Sequence, residues 1–245
     1  PLFDVSLGVT MSSVTVDMSH TLHLGVFMAF CRYVIWVLLD CGCWDPPQGT
    51  EPERLQVAVM CMRAELWRWY GERAKTHRGE NLTRLADLTP KMLGTRAQPK
   101  LRTKAAETWG ILLFATDMLT KYAANVGDIA RTLREAGTAA ITHMEICSAN
   151  PVSLPARAVQ DLFDTMIKHL RLIEGLGIYT PKHHLWIHMV ASAPFLGNPR
   201  SLSNFLNESD NKTLKQVCTG CSQLTFESSV LFKMRDVMRP AKRRL

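Results

Sequence analysis

Three kinds of catalytic signature are missing from this sequence. There is no Gly-rich phosphate loop, no Ser or Cys nucleophile motif and no paired-carboxylate hydrolase pattern, so P-loop nucleotide chemistry, covalent acyl transfer and two-carboxylate hydrolysis have no basis in it. Cysteine is too irregular to be a framework. Seven residues, an odd number at uneven spacing, exclude a disulfide scaffold and fit a reducing compartment. The first residues, PLFDVSLGV, have neither a Met nor the charged-then-apolar order of a secretion signal, and they read as a piece cut from a longer polypeptide. No internal repeat or low-complexity tract occurs. The longest apolar run, Leu22 to Leu39, carries Arg32 at its middle and is bounded by His23 and Asp40. Its unbroken apolar lengths are too short for a bilayer, so a buried core helix is expected and no membrane partner.

What is present is an ordinary globular composition with a basic balance. The apolar share of 47% suffices for a sizeable core in one large or two small domains. The net charge is +7. Much of that excess sits at the end, where Lys233, Arg235, Arg239, Lys242, Arg243 and Arg244 face only Asp236. Such a stretch suits an acidic partner, nucleic acid above all, and equally a solvated terminus or a nuclear-import signal.

Hydrophobic periodicity gives a mainly helical chain. Residues 5–16, VSLGVTMSSVTV, are rich in β-branched side chains and form the best strand candidate. Asp17 or Ser19 then caps a helix, His20 to Asp40, that is apolar nearly all round and therefore central. Leu55, Val59, Met62, Leu66, Trp69 and Tyr70 mark a helix from Pro52 to about Thr76. Leu82, Leu85, Leu88, Met92 and Leu93 mark brief turns, and Pro99 opens a long helical pattern through Leu119. Gly127 or Asp128 opens the next helix, which ends near Asn150. From Pro155, Val159, Leu162, Phe163, Met166, Ile167, Leu170 and Ile173 face inward until Gly175 and Gly177. The spacing of Met60, Met62, Trp67, Trp69, Trp109 and Trp186 places them in the core. After Pro181 comes a helix with His183, His184 and His188, broken at Pro194, Gly197 and Pro199. A short strand, Ser201 to Leu206, leads to a helix that begins at Glu208, and a last helix runs from about Thr225 to Met238. The fold class is mainly α, a large helical block with a small, incomplete β element. The segments expected are a strand piece over 1–19, a helical block over 20–179, and a C-terminal part over 180–245.

Two stretches carry candidate chemistry. Asp17 and His20, three apart at a strand-to-helix junction, can share one side of it, either as metal ligands or as a capping carboxylate with a His on the first turn. Glu208 stands in the first turn of a helix, where the dipole favours its charge.

Together, VDMSHTLHLGV, the helical block, PKHHLWIHM, a Gly-Pro loop and NESDNKTLK resemble the C-terminal part of the transposases of CACTA-like and Plavaka-like DNA elements, and PLFDVSLGVTMSSVTVDMSHTLHLGV and LRTKAAETWGILL resemble domesticated or decaying copies of such elements in protist genomes. The resemblance implies an RNase H-like catalytic domain interrupted by an all-helical insertion, of which this chain holds the insertion and the end. It implies that Glu208 is the final catalytic Glu. It further implies that Asp17 and His20 match the Asp/Cys-x-x-His signature that precedes the insertion, with Asp17 either catalytic or accessory. Mg²⁺ or Mn²⁺ held by Asp17 and Glu208, DNA as partner, a second copy or an upstream domain, and a nuclear rather than cytoplasmic location all follow from it. The family's chemistry is metal-dependent DNA strand cleavage and transfer, in which two ions activate the attacking oxygen and stabilise the leaving one. The strands that carry the first acidic residues are not in this chain, so it is expected to be inactive alone. The alternative is a non-enzymatic helical scaffold that binds DNA or protein through its basic surface.

Zinc is the less favoured metal. Cys218 and Cys221 form a C-x-x-C pair, and His184 and His188 stand at i and i+4. The Cys pair, however, falls late in a helical pattern, and His184 or His188 is expected to be hydrogen-bonded within a helical core.

Overall fold

Asp17 starts the first helix. Its Oδ1 accepts the Ser19 N–H at 3.3 Å and its Oδ2 the His20 N–H at 2.8 Å, which supplies partners for two of the donors that a helix start leaves free. A computed structural model describes residues 15–44, 48–204 and 214–238 of the chain. In it α1 runs over Ser19–Asp40, with π-type turns over Ser19–Phe27 and regular α-helix over Met28–Asp40. By length and composition α1 could cross a membrane. Its Leu22, Val26, Phe27, Phe30, Cys31, Val34 and Leu38 are buried within the helical block.

Thr50 and Glu53 form a capping box ahead of α2, Glu51–Thr76. The Thr50 N–H and hydroxyl both donate to Glu53 Oε2, at 2.9 and 2.7 Å, and these bonds hold the Glu53 carboxyl below its usual range. The one-turn α3, Pro90–Leu93, is followed by α4, Ala105–Lys121, the short α5, Ala123–Val126, and α6, Ile129–Ala149. Then come α7, Ala156–Leu172, α8, Pro181–Leu196, and a 3₁₀ turn, Pro199–Leu202. The first compact unit ends at Leu202 and a second spans Ser203–Leu245. Within the second, α9 at 214–219 and a 3₁₀ turn over Gln223–Thr225 precede α10, Phe226–Met238.

In the first unit α4 and α8 pack on the π-type half of α1, α4 also on its second half, α6 on α4, and α7 on both α6 and α8. Gly137 lets α6 and α4 close. A Cβ there would lie 2.4 Å from Thr116 Oγ1 and 3.3 Å from the Phe30 ring, nearer than packed atoms allow. Glu65 ties three segments together. Its carboxylate accepts hydrogen bonds from Trp44 Nε1 at 2.6 Å, from the Tyr122 hydroxyl at 2.8 Å and from Lys121 Nζ. Burial pushes the Glu65 pKa up, but these donors outweigh it and the carboxyl lies below its usual range.

The mainly helical class holds, and among the described residues there is no sheet. Several details differ from expectation. The strand expected over 5–16 falls almost wholly outside the described residues. Ser201 and Leu202, expected in a strand, lie in the 3₁₀ turn. Pro194 does not end α8, which continues to Leu196 before Gly197 closes it at φ 82°. Pro194 lacks the N–H that would reach the Val190 carbonyl, so the helix runs past it one bond short. α8 packs on α7 and α1. Met60, Trp67 and Phe163 are exposed, because single apolar residues beside a helix's inward stripe carry no packing demand. The Arg63 guanidinium lies 5.3 Å above the Trp67 ring. All seven cysteines are free.

Candidate functional site

The structure brings Asp17 and His20 together. Besides its two backbone bonds, Asp17 Oδ2 lies 2.5 Å from His20 Nδ1, and the Asp17 side chain is 16% exposed against 49% for His20. The pair is a clasp on the first turn of α1. Glu208, the other expected carboxylate, lies outside the described residues, as do Arg239, Lys242, Arg243 and Arg244 of the basic tail. Lys233 Nζ donates to the Gly220 carbonyl at 2.7 Å, and the Arg235 guanidinium lies 4.9 Å over the Phe232 ring.

His184 and His188, expected within a helical core, lie outside it. His184 and His188 are exposed on α8, with their Nε2 atoms 2.8 Å apart. The imidazoles that enter the core are His23, His143, His169 and His183. His23 Nδ1 donates to the Ala105 carbonyl at 3.1 Å and joins α1 to the start of α4. His169 Nδ1 donates to the Ala136 carbonyl at 2.9 Å and joins α7 to α6. His143 Nε2 accepts the Trp186 indole N–H at 3.1 Å, joining α6 to α8. An indole nitrogen can only donate, so the His143 proton sits on Nδ1, which faces Thr165 Oγ1 at 3.1 Å. His183 Nδ1 accepts the Thr180 N–H at 3.0 Å and closes the cap of α8. Burial pushes the pKa values down, to about 4 for His23, about 3 for His143 and about 4 for His169, with His183 lowered as well. His23, His143 and His169 are neutral crosslinks between helices, not acid–base groups in contact with solvent.

A carboxylate-free run of cations lies between α3 and α4, where a helix start was expected at Pro99. The chain instead forms a hairpin. Gly94 and Pro99 make an antiparallel bridge, Thr95 and Gln98 exchange backbone bonds at 3.2 and 3.0 Å, the Lys100 N–H donates to Leu93 O at 2.7 Å and the Arg102 N–H to Met92 O at 3.1 Å. Buried Leu93 and Leu101 root it in the core. Lys91, Arg96, Lys100, Arg102 and Lys104 are exposed along it, and no Asp or Glu occurs from Leu88 to Ala106. Arg96 pairs with Asp40 at 2.7 Å and Lys104 approaches Glu107 at 4.0 Å. Beside the hairpin tip, Trp36, Leu39, Leu55 and Ala58 floor a cleft of about 510 Å³ rimmed by Asp40, Glu51, Arg54 and Arg96. The signal for the hairpin was legible as five cations uninterrupted by a carboxylate, with Gly94 and Pro99 as turn residues.

Gly94 makes this hairpin. Its φ is 77°, and a Cβ there would lie 2.4 Å from the Gln98 carbonyl oxygen, a backbone atom that cannot swing away. Gly94→Ala is expected to destabilise the protein by about 1–3 kcal/mol and to release the Lys100 and Arg102 amides to fast hydrogen exchange. Unchanged amide protection at Lys100 would contradict this account of the turn.

No known protein-family model matches the chain, and searches of curated proteins and of solved structures give no match either.

Proposed function

We propose that this chain is the helical insertion and C-terminal end of a transposase-like protein, and that its part in the reaction is to hold DNA rather than to break it. The observation that supports the DNA reading is the hairpin of five exposed cations over Lys91–Lys104, free of carboxylates in sequence and rooted in the core. A rigid row of Lys and Arg suits a phosphate backbone, which is recognised by charge and position rather than by base. The tail cations Lys233, Arg235, Arg239, Lys242, Arg243 and Arg244 add to the same affinity in this reading. The Asp17–His20 clasp fits the accessory role, fixing the point where the chain passes into the helical block.

The family resemblance implies Mg²⁺ or Mn²⁺ held by Asp17 and Glu208, of which only Asp17 lies among the described residues. The Asp17 carboxylate is directed at the Ser19 and His20 N–H groups and the His20 ring, and no group of three or more His, Cys, Asp or Glu able to hold a metal occurs among the described residues.

Fluorescence anisotropy with labelled duplex DNA tests the reading. Binding is expected to weaken steeply with salt, and the triple variant K100Q/R102Q/K104Q is expected to flatten the slope of log K against log salt by about 3, roughly one for each phosphate deprived of its cation. A chain that fails to bind duplex at low salt sinks the DNA reading, and an unchanged slope moves the interface away from the hairpin. With Mn²⁺, the chain is expected to leave supercoiled plasmid intact. Nicking that E208Q abolishes would make it an active strand-transferase and overturn the holding role.

A further inference from the structure

A second pair of metal-ligating groups, apart from Asp17 and His20, is His184 with His188. Both stand on the solvent face of α8, one turn apart. The helix beneath them is fixed: Trp186, Met189, Val190 and Ala193 are buried, and the Thr180–His183 box caps its start. The two rings meet edge to face with centroids 4.4 Å apart, and their Nε2 atoms lie 2.8 Å from each other. One of these nitrogens must carry a proton and donate to the lone pair of the other, since two bare lone pairs at that distance would repel.

We propose that His184 and His188 form a two-imidazole chelate for a divalent transition metal that prefers tetragonal geometry, Ni²⁺ or Cu²⁺. The spacing decides the class of ion. Two nitrogens each ~2.0 Å from a metal are ~2.8 Å apart when they subtend a right angle and ~3.3 Å apart when they subtend a tetrahedral one. The rings already hold the first distance, so a tetragonal ion enters with little side-chain movement. A neutral donor ring moves its proton from Nε2 to Nδ1 through solvent, and both Nε2 lone pairs then face the metal without a change in net charge. No third protein ligand gathers there among the described residues, so water or an external donor fills the remaining positions. The site is independent of the DNA reading and of the Cys218–Cys221 pair.

Nickel supplied as a simple salt to the metal-free, untagged chain, kept reduced, tests the proposal by titration calorimetry and by retention on an immobilised-Ni²⁺ column. One Ni²⁺ is expected to bind, with at least tenfold weaker binding in H184Q or in H188Q and loss of retention in the double variant. C218S/C221S is expected to bind as the parent does. Both histidines are exposed and outside the cap, so circular dichroism should show α8 intact in each variant. A double variant H184Q/H188Q that binds Ni²⁺ as tightly as the parent would overturn the assignment, as would loss of the site in C218S/C221S.

Discussion

Lowering the pH from 7.5 to 5 is expected to bring this protein to the edge of unfolding, through its buried imidazoles. In the fold His23, His143 and His169 have pKa values pushed down to about 4, 3 and 4, while in the unfolded chain each returns to about 6.5. Above pH 6.5 neither state is protonated and the groups are neutral toward stability. Below it the unfolded state binds protons that the folded state refuses, so stability falls with pH until the folded values are reached near 4. Each ring contributes about 1.4 kcal/mol per pH unit, so the three remove about 4 kcal/mol per unit and about 6 kcal/mol by pH 5. That is comparable to the whole stability of an ordinary domain, about 5–15 kcal/mol. His183 acts in the same direction. Urea unfolding followed at several pH values checks this. His169→Asn keeps a donor near the Ala136 carbonyl without titrating, and it should reduce the pH slope by about a third. Equal stability at pH 7.5 and pH 5 would show that these rings are not buried neutral in solution.

Trp186→Ala is expected to be the most damaging single substitution in the first unit. Trp186 is fully buried, its indole lies 4.9 Å from His143, 5.3 Å from His169 and 6.3 Å from Phe27, and its N–H supplies the partner of His143 Nε2. Removing the ring costs about 3–5 kcal/mol in lost burial and cavity formation. The buried His143 nitrogen left without a donor adds about 1–3 kcal/mol. The sum approaches the protein's entire stability, so Trp186→Ala should be largely unfolded at 37 °C. Trp186→Phe keeps much of the apolar packing while removing the N–H and part of the ring, and it should fold with a smaller loss than Trp186→Ala, of about 1–3 kcal/mol. A melting temperature for Trp186→Ala within a few degrees of the parent would remove Trp186 from the centre of the core.

The helices were legible wherever the sequence carried both a period and a stop. Thr50, Pro52 and Glu53 open α2 within a residue or so of the expected start, and Gly175 and Gly177 lie just past α7, because capping and φ > 0 are local demands that a few side chains announce. Pro99 misled for a related reason. A proline suits a first helical turn and a hairpin turn alike, and only the pairing of Leu93 with Lys100, a contact between distant backbone groups, decides between them. The inward histidine of α8 was readable in principle, since His183, Trp186, Val190 and Ala193 share one stripe at i, i+3, i+7 and i+10. That stripe was hidden because the rest of α8 is nearly as apolar, so no polar face marked the outside. At the candidate site, the capping role of Asp17 followed from its place before an apolar helix, while the link of Asp17 to Glu208 depended on family resemblance, which no local pattern can replace.

The π-type turns of Ser19–Phe27 give the chain a tolerance for changes in its own length. An α-turn closes between residues four apart and a π-turn between residues five apart, so a residue lost from this stretch can be absorbed by converting π-type turns into α-turns. Beyond Met28 there is no such slack. One residue inserted there would rotate every later side chain of α1 by ~100° and turn Val34 and Leu38 away from their neighbours. A residue lost within Ser19–Phe27 can therefore leave Met28–Asp40 in register, whereas one gained or lost within Met28–Asp40 displaces every core residue beyond it.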